Sequence, residues 1–98
     1  MVIFMTKKEG KLLMFTGKEC VHCHDSEPVI AKLEKEQKIK ITKLEVWHDA
    51  KNAALQEKLD DGKCGGVPFF YNEETGAWIC GTPEYDELKE WALGKKKK

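Results

Sequence analysis

The chain has 98 residues and a formal charge of zero, because 17 basic residues match 17 acidic ones. Hydrophobic residues make up 41% and charged residues 35%, which predicts one soluble globular domain and excludes a mostly disordered chain. All basic residues are lysine, and four of them form the C-terminal run Lys95–Lys98. Without that run, 13 basic residues face 17 acidic ones, a net charge of −4. We therefore predict a domain over residues 1–94, a disordered lysine tail over residues 95–98, and no nucleic-acid partner.

The longest apolar stretches are too short for a membrane or secretion segment. Val2–Met5 and Leu12–Phe15 hold four residues each, whereas a span needs about 20 and a signal core about 7–15. We expect a cytoplasmic protein with no membrane partner. In reducing cytosol, four cysteines more often serve catalysis or metal binding than a structural disulfide framework.

The first half of the chain predicts a strand, a helix and a second strand. Lys11–Gly17 contains a continuous apolar run, which is typical of a strand buried on both faces. A helix is expected over Cys20–Gln37, with a kink or restart at Pro28. Ile39–Trp47 is rich in β-formers, but its alternation changes phase near Thr42, so a bulge or a later start is expected there.

The next segment predicts a second helix and a hairpin. Asp49 can cap the helix and Gly62 can end it. Val67–Asn72 reads as a third strand, and a turn leads to the antiparallel fourth strand over Ala77–Cys80.

The last element is a helix that Thr82 opens as N-cap, with Pro83 at the first helical position and Gly94 after the end. The predicted order is β-α-β-α-β-β-α. Its first crossover is parallel and right-handed, and its last two strands form a hairpin. This pattern predicts an α/β fold in which a mixed four-stranded sheet carries helices on both faces.

Cys20 and Cys23 stand directly after a predicted strand and at the start of a predicted helix. Unpaired N–H groups and the positive end of the helix dipole stabilise a thiolate at such a position. Two intervening residues let the sulfurs close a small ring. We expect Cys20 to be an exposed nucleophile and Cys23, one turn inward, to be the resolving thiol.

Two neighbours are candidates for tuning the thiolate. A protonated His22 favours the charged, reduced state and makes the disulfide a stronger oxidant. Glu19, on the other side of Cys20, acts in the opposite direction. The sign of the net effect stays open at this stage.

Together these residues resemble the thioredoxin superfamily over about Leu12 to Leu93. Pro28 follows Cys23 by five residues, where thioredoxins carry a helix proline. A Gly-Val-Pro sequence opens the third strand, as the cis-proline does in that family, and a glycine follows the last strand. These positions are Gly66, Val67, Pro68 and Gly81.

The resemblance implies a thiol–disulfide oxidoreductase that reduces or exchanges protein disulfides, with Cys20 and Cys23 as catalytic residues. Substrate binding would fall to Gly66, Val67, Pro68 and Gly81, with a cis bond before the proline. The implied enzyme is a monomer without metal or organic cofactor, and an external reductase or dithiol restores its thiols. The direction of the physiological reaction stays open.

Three positions depart from the family pattern. Glu19 replaces the usual tryptophan, so stacking beside the site is expected to be lost, and Met14 replaces a buried carboxylate that helps deprotonate the resolving thiol. The sequence from Gly81 to Glu84 lacks the Gly-Gly-x-Asp with which glutaredoxins bind glutathione. A protein disulfide is therefore the favoured substrate.

Other interpretations use the same residues. Cys20 to His24 spells Cys-x-x-Cys-His, a c-type haem attachment signature with His24 as ligand. Cys20, Cys23, Cys64 and Cys80 supply four thiols for zinc, although the last two do not form a close pair. A binding domain without catalysis is a third alternative.

Cys64 and Cys80 lie outside the central motif. We expect Cys64 to be a partly exposed loop thiol and Cys80 a small buried hydrophobic residue at the end of the last strand. A second redox or regulatory role for this pair is the open alternative.

Overall fold

The computed structural model describes residues 12–94, so the predicted lysine tail and the first eleven residues lie outside it. The elements occur in the predicted order β-α-β-α-β-β-α. They are β1 (Leu12–Thr16), α1 (Val21–Gln37), β2 (Thr42–Glu45), α2 (Ala50–Asp60), β3 (Phe69–Asn72), β4 (Trp78–Cys80) and α3 (Tyr85–Leu93). Within residues 12–94, none of the helices has the length and apolar character that crossing a bilayer requires.

The four strands form one mixed sheet, as predicted, and their order in the sheet is β2-β1-β3-β4. β1 runs parallel to β2, whereas β1 with β3 and β3 with β4 are antiparallel pairs. The two central strands are almost entirely buried, because apolar side chains point alternately to both faces.

Each face of the sheet has its own core. On one face Met14 and Phe70 pack with residues of α1 and α3, and on the other Phe15 and Phe69 pack with residues of α2. Trp91 anchors α3, since its ring meets that of Phe70 edge-on at 5.5 Å between centroids. Its indole N–H also donates to the Ala77 carbonyl, N to O 3.1 Å. The helices thus lie on both faces, as predicted.

The second strand begins late, at Thr42, which is one of the two outcomes expected from the change of phase. The backbone N–H of Ile41 donates to the Glu34 carboxylate at 2.9 Å, and that of Ile39 donates to the Glu34 carbonyl at 3.3 Å. Both N–H groups therefore bond to Glu34 of α1 and not to β1. The pairing of β2 with β1 begins only after them, at Thr42.

Both ends of α2 follow the prediction. Asp49 caps α2 by accepting from the N–H of Lys51 and Asn52. Asp61 is the C-cap with φ 50°, and Gly62 follows it with φ 82°, so the helix ends at the predicted glycine. α1 continues through Pro28 as one helix, without a restart.

The predicted start of α3 is wrong. Thr82 does not cap the helix and Pro83 is not its first residue: the N-cap is Glu84, which makes no side-chain cap bond. Thr82 instead lies before the helix, and its hydroxyl donates to the His22 carbonyl at 3.2 Å. This bond ties the segment after β4 to the first turn of α1. Gly94 ends the helix as predicted.

Candidate functional site

Cys20 occupies the N-cap of α1, where β1 and a short loop deliver it. Its backbone is extended (φ −80°, ψ 114°), and its Sγ accepts the N–H of Cys23 at 3.1 Å. The sulfur therefore takes the place of the Ser or Asp oxygen that usually caps a helix. Cys23 is also a free thiol one turn into the helix. The predicted position of this pair at a helix N-terminus is confirmed.

The expected exposure of Cys20 is wrong. Its exposed fraction is only 6%, against 1% for Cys23. Val67 packs against the same cluster of core residues, and its carbonyl oxygen lies 4.0 Å from the Cys20 Sγ. The segment before the third strand therefore covers the sulfur, which no local pattern in the sequence indicated.

Burial raises the pKa of the Cys23 thiol, and the neighbouring Cys20 sulfur raises it further. The Thr16 hydroxyl and the Gly17 backbone act in the opposite direction but do not outweigh these effects. Met14, which stands where thioredoxins carry a carboxylate, is fully buried in the core as an apolar side chain. Cys23 thus keeps its proton more firmly than an ordinary thiol.

The loop of residues 64–68, called here the 64–68 loop, forms one side of the site. The Val67–Pro68 bond is cis, as the resemblance predicted. Gln56 of α2 donates to the Gly66 carbonyl at 2.8 Å, and the N–H of Gly81 donates to the Pro68 carbonyl at 2.9 Å. The structure therefore brings the four predicted substrate-binding positions together, with Val67 in contact with Cys20.

Asp60, at the end of α2, fixes the start of the 64–68 loop. It is only 4% exposed, and its two carboxylate oxygens accept the N–H groups of Cys64 and Gly65 at 2.5 and 2.7 Å. Charged acceptors make stronger hydrogen bonds than neutral ones, so this double contact is a firm anchor. The sequence reading missed Asp60, although an acidic residue just before a Gly-rich loop was a usable signal.

Cys64 and Cys80 are joined by a disulfide with an S–S distance of 2.03 Å. Cys80 is exposed and Cys64 is half-buried, so the prediction of a buried Cys80 and a free Cys64 is wrong. A zinc site built from all four cysteines is contradicted too, because two of its ligands are bonded to each other. The pairing depends on tertiary structure, which places Cα atoms separated by 16 residues 5.5 Å apart.

Glu19 forms an ion pair with His48, with 2.8 Å between a carboxylate oxygen and Nε2. Hydrogen bonding to His48 lowers the pKa of Glu19, and the same bond raises the pKa of His48. Glu45 accepts the backbone N–H groups of Lys18 and His48. Glu19, Glu45 and His48 are the group within residues 12–94 whose ligand atoms lie close enough, within 4.8 Å, to hold a metal ion.

The other two histidines of this region lie at the surface. His22 is 77% exposed at its side chain, and its Nδ1 lies 3.9 Å from the Asp25 carboxylate. The Nε2 of His24 lies 2.9 Å from the Lys18 carbonyl oxygen, which fixes its ring against the loop before Cys20. The structure thus places His22 beside the cysteines and turned toward solvent.

Trp47 supplies an exposed aromatic surface at the loop before Cys20. This surface was not predicted from the sequence. It is 52% exposed, and its indole lies on Gly17, where an added Cβ would sit 2.6 Å from Cε2. Only glycine allows this close approach. Trp47 and Val67 both line a groove of about 710 Å³ between α2 and the 64–68 loop. Trp47 thus places an exposed aromatic ring from the β2–α2 connection over the loop that precedes Cys20.

The chain matches no protein-family model and no curated protein sequence. The solved structures that are similar to it include a thioredoxin-like protein and a glutaredoxin. A mutant of the thioredoxin-like protein BC3987 shares 18% identity with a TM-score of 0.58, over 86% of this chain and 96% of that one. A glutaredoxin from Archaeoglobus fulgidus shares 17% identity with a TM-score of 0.59, over 93% of this chain and 92% of that one. These likenesses, together with the mixed sheet and three helices, confirm that the chain has a thioredoxin-like fold.

Proposed function

We propose that this protein is a thiol–disulfide oxidoreductase that acts on disulfides of other proteins. The observation that carries the proposal is the pair Cys20 and Cys23, both unbonded, at the N-terminus of α1. The Sγ of Cys20 accepts the N–H of Cys23, so a negative charge on this sulfur meets a hydrogen-bond donor and the positive end of a helix. Cys23 is buried with a raised pKa, which suits a thiol that reacts second.

The proposed reaction has two exchange steps. The Cys20 thiolate attacks one sulfur of a substrate disulfide, forms a mixed disulfide and releases the other substrate sulfur as a thiolate, which takes a proton. Cys23 then loses its proton and attacks the Cys20 Sγ, which releases the second substrate thiol. The substrate gains two electrons, and Cys20–Cys23 becomes a disulfide. An external reductase or dithiol returns it to the thiol form, and neither metal nor organic cofactor takes part.

The substrate is proposed to lie along the 64–68 loop. Gly66, Val67 and Pro68 would present backbone to an extended substrate chain, and Gly81 would leave room beside them. Val67, whose carbonyl oxygen lies 4.0 Å from the Cys20 Sγ, also lines the groove, and Trp47 gives the groove an exposed apolar wall. Its charged lining residues, Glu57 and Asp60, are both acidic. The occupant we propose is the polypeptide flanking the substrate disulfide, with a preference for apolar and basic side chains.

His22 and Glu19 are proposed to tune the thiolate in opposite directions. A protonated His22 next to Cys20 stabilises its negative charge. Glu19 opposes this effect, but its carboxylate is paired with His48, so its field at the sulfur is reduced. His22 in turn lies 3.9 Å from the Asp25 carboxylate, so both charges act on the sulfur with reduced strength.

Single-cysteine variants test the proposal. We expect Cys20→Ser to abolish reduction of a labelled protein disulfide, since the nucleophile is gone. We expect Cys23→Ser to accumulate a mixed disulfide with the substrate, visible by mass as a reducible adduct on Cys20. Far-UV circular dichroism of both variants controls for folding. Undiminished activity in both variants contradicts the mechanism, and stoichiometric metal that blocks alkylation of Cys20 would favour a metal-binding domain instead.

A further inference from the structure

The second cysteine pair lies at the same end of the sheet as the first. Cys64 begins the 64–68 loop, and Cys80 ends β4. The sheet already pairs Phe69 with Cys80 in register, and the Gly81 N–H donates to the Pro68 carbonyl. The disulfide therefore closes the 64–68 loop into a ring, fixed to β4 at both of its ends.

This ring covers the proposed nucleophile. Val67 is part of this ring, and its carbonyl oxygen lies 4.0 Å from the Cys20 Sγ. Cys20 is only 6% exposed. Gly65 and Gly66, which precede Val67, have nothing within 4 Å of where a Cβ would be, so no side-chain packing holds them. The loop keeps its position through the core packing of Val67 and Pro68, through hydrogen bonds to α2 and β4, and through this one covalent bond.

We propose that Cys64–Cys80 is a second redox site, reduced by dithiols in solution, and that its reduction opens the cover over Cys20. Cys80 is an exposed residue, and an external thiolate attacks its Sγ. That attack forms a mixed disulfide and releases the Cys64 thiolate, which takes a proton. The second thiol of the reductant, once deprotonated, then attacks its own partner sulfur, which frees Cys80 as a thiol. The dithiol leaves as a disulfide, and two electrons have entered the pair.

Reduction removes the covalent anchor on the β4 side and leaves the hydrogen bonds and the packing of Val67 and Pro68. Loops with few buried apolar contacts open locally more often than the core of the same protein, and the loss of a crosslink makes such opening easier. The closed, oxidised form therefore restricts access to Cys20, and the reduced form exposes it. The consequence for turnover rests on the proposed function, whereas the chemistry of Cys64 and Cys80 does not.

The first experiment asks whether the pair is reduced in the folded protein. A Cys20→Ser/Cys23→Ser variant leaves Cys64 and Cys80 as the only cysteines, and it is equilibrated in a series of dithiol concentrations, alkylated and mapped by peptide mass. We expect a reversible two-electron step at these two positions while the β1 amides stay protected from hydrogen exchange. If the bond opens only together with loss of β1 protection, it is a structural crosslink and the proposal is overturned.

The second experiment measures access to Cys20. In a Cys23→Ser background, Cys20 is alkylated with iodoacetamide while Cys64–Cys80 is oxidised, and again after it has been reduced and the dithiol removed. We expect about tenfold faster alkylation in the reduced form, which equals about 1.4 kcal/mol in the free energy of opening. The control adds Cys64→Ser and Cys80→Ser to the same background. Cys20 in this control is expected to be alkylated at the rate of the reduced form, whether or not the protein was first treated with dithiol.

Equal or slower alkylation after reduction overturns the proposed control of access. This outcome leaves the proposed function untouched, because mixed-disulfide formation at Cys20 tests that function separately. Conversely, failure of Cys20 to form any mixed disulfide overturns the proposed function, while the alkylation rates still report on the loop.

Discussion

The two cysteine pairs of this protein differ in both burial and bonding. Cys20 and Cys23 are buried, unbonded and joined by a hydrogen bond within one turn of α1. Cys64 and Cys80 form a disulfide between a loop and a strand end, and Cys80 is exposed. The first pair is held together by local helix geometry, whereas the second depends on the whole sheet. A bond in the second pair therefore restricts the unfolded chain over a longer loop, and a bond in the first would restrict it over a shorter one.

The largest expected effect on stability comes from removing the second pair. Cys64→Ser/Cys80→Ser is expected to lower the free energy of unfolding by about 3 kcal/mol, the value for a closed loop of this length. Urea denaturation without reductant measures the loss against the oxidised wild type. Reducing Cys64–Cys80 in the wild type is expected to give the same loss, and the variant is expected to ignore dithiol. A loss below about 1 kcal/mol would contradict this view of the pair.

The next effect concerns the anchor on the Cys64 side. Asp60→Asn replaces one charged oxygen that accepts a backbone N–H with an amide that donates, so one part-buried hydrogen bond of the loop is lost. We expect a loss of about 2 kcal/mol in the free energy of unfolding. Asp61→Asn is the matched control, since the neighbouring Asp61 is exposed and its left-handed conformation suits asparagine. Equal effects of the two substitutions in urea denaturation would show that the Asp60 contacts do not hold the loop.

The next effect concerns Trp47, which lines the groove beside Val67. We expect Trp47→Ala to raise KM for a protein disulfide about five-fold with little change in kcat, because an aromatic wall of the groove is lost. A small aromatic disulfide, which does not fill the groove, should react at an unchanged rate. Trp78→Ala is the control for losing an exposed indole, since Trp78 lies on β4 and does not line the groove. The same rise in KM in both variants would remove Trp47 from the substrate site.

The smallest effect is electrostatic and concerns Glu19 and His48. Because the pKa of His48 is raised above 6.5, the ion pair is fully formed below that pH and is lost as pH rises through the folded-state value. Because the pKa of Glu19 is lowered from 4.5, the pair is also lost as pH falls through the lowered value. We expect an NMR titration midpoint above 6.5 for His48, returning toward 6.5 in Glu19→Gln. Glu73→Gln, in the β3–β4 turn, is expected to leave it unchanged, and a midpoint insensitive to Glu19→Gln would argue against the pair.

Much of the fold could be predicted from local patterns. The apolar run of β1, the cap at Asp49 and the hairpin after Asn72 each depend on neighbours in the chain, and each was predicted correctly. The start of α3 was not: the helix begins two residues later than predicted, and Thr82 lies outside it with its hydroxyl donating to the distant His22 carbonyl. A local capping signal does not reveal such a tertiary contact.

The candidate site divides in the same way. The Cys20–Cys23 spacing at a helix start and the Gly-Val-Pro segment could be predicted, because these are properties of consecutive residues. The fold is what lets Val67 cover Cys20, Trp47 lie on Gly17 and Cys64 bond to Cys80. Each of these contacts joins residues 16 or more positions apart, and which distant side chains meet is set by sheet register and loop path. Spacing along the chain carries no information about either.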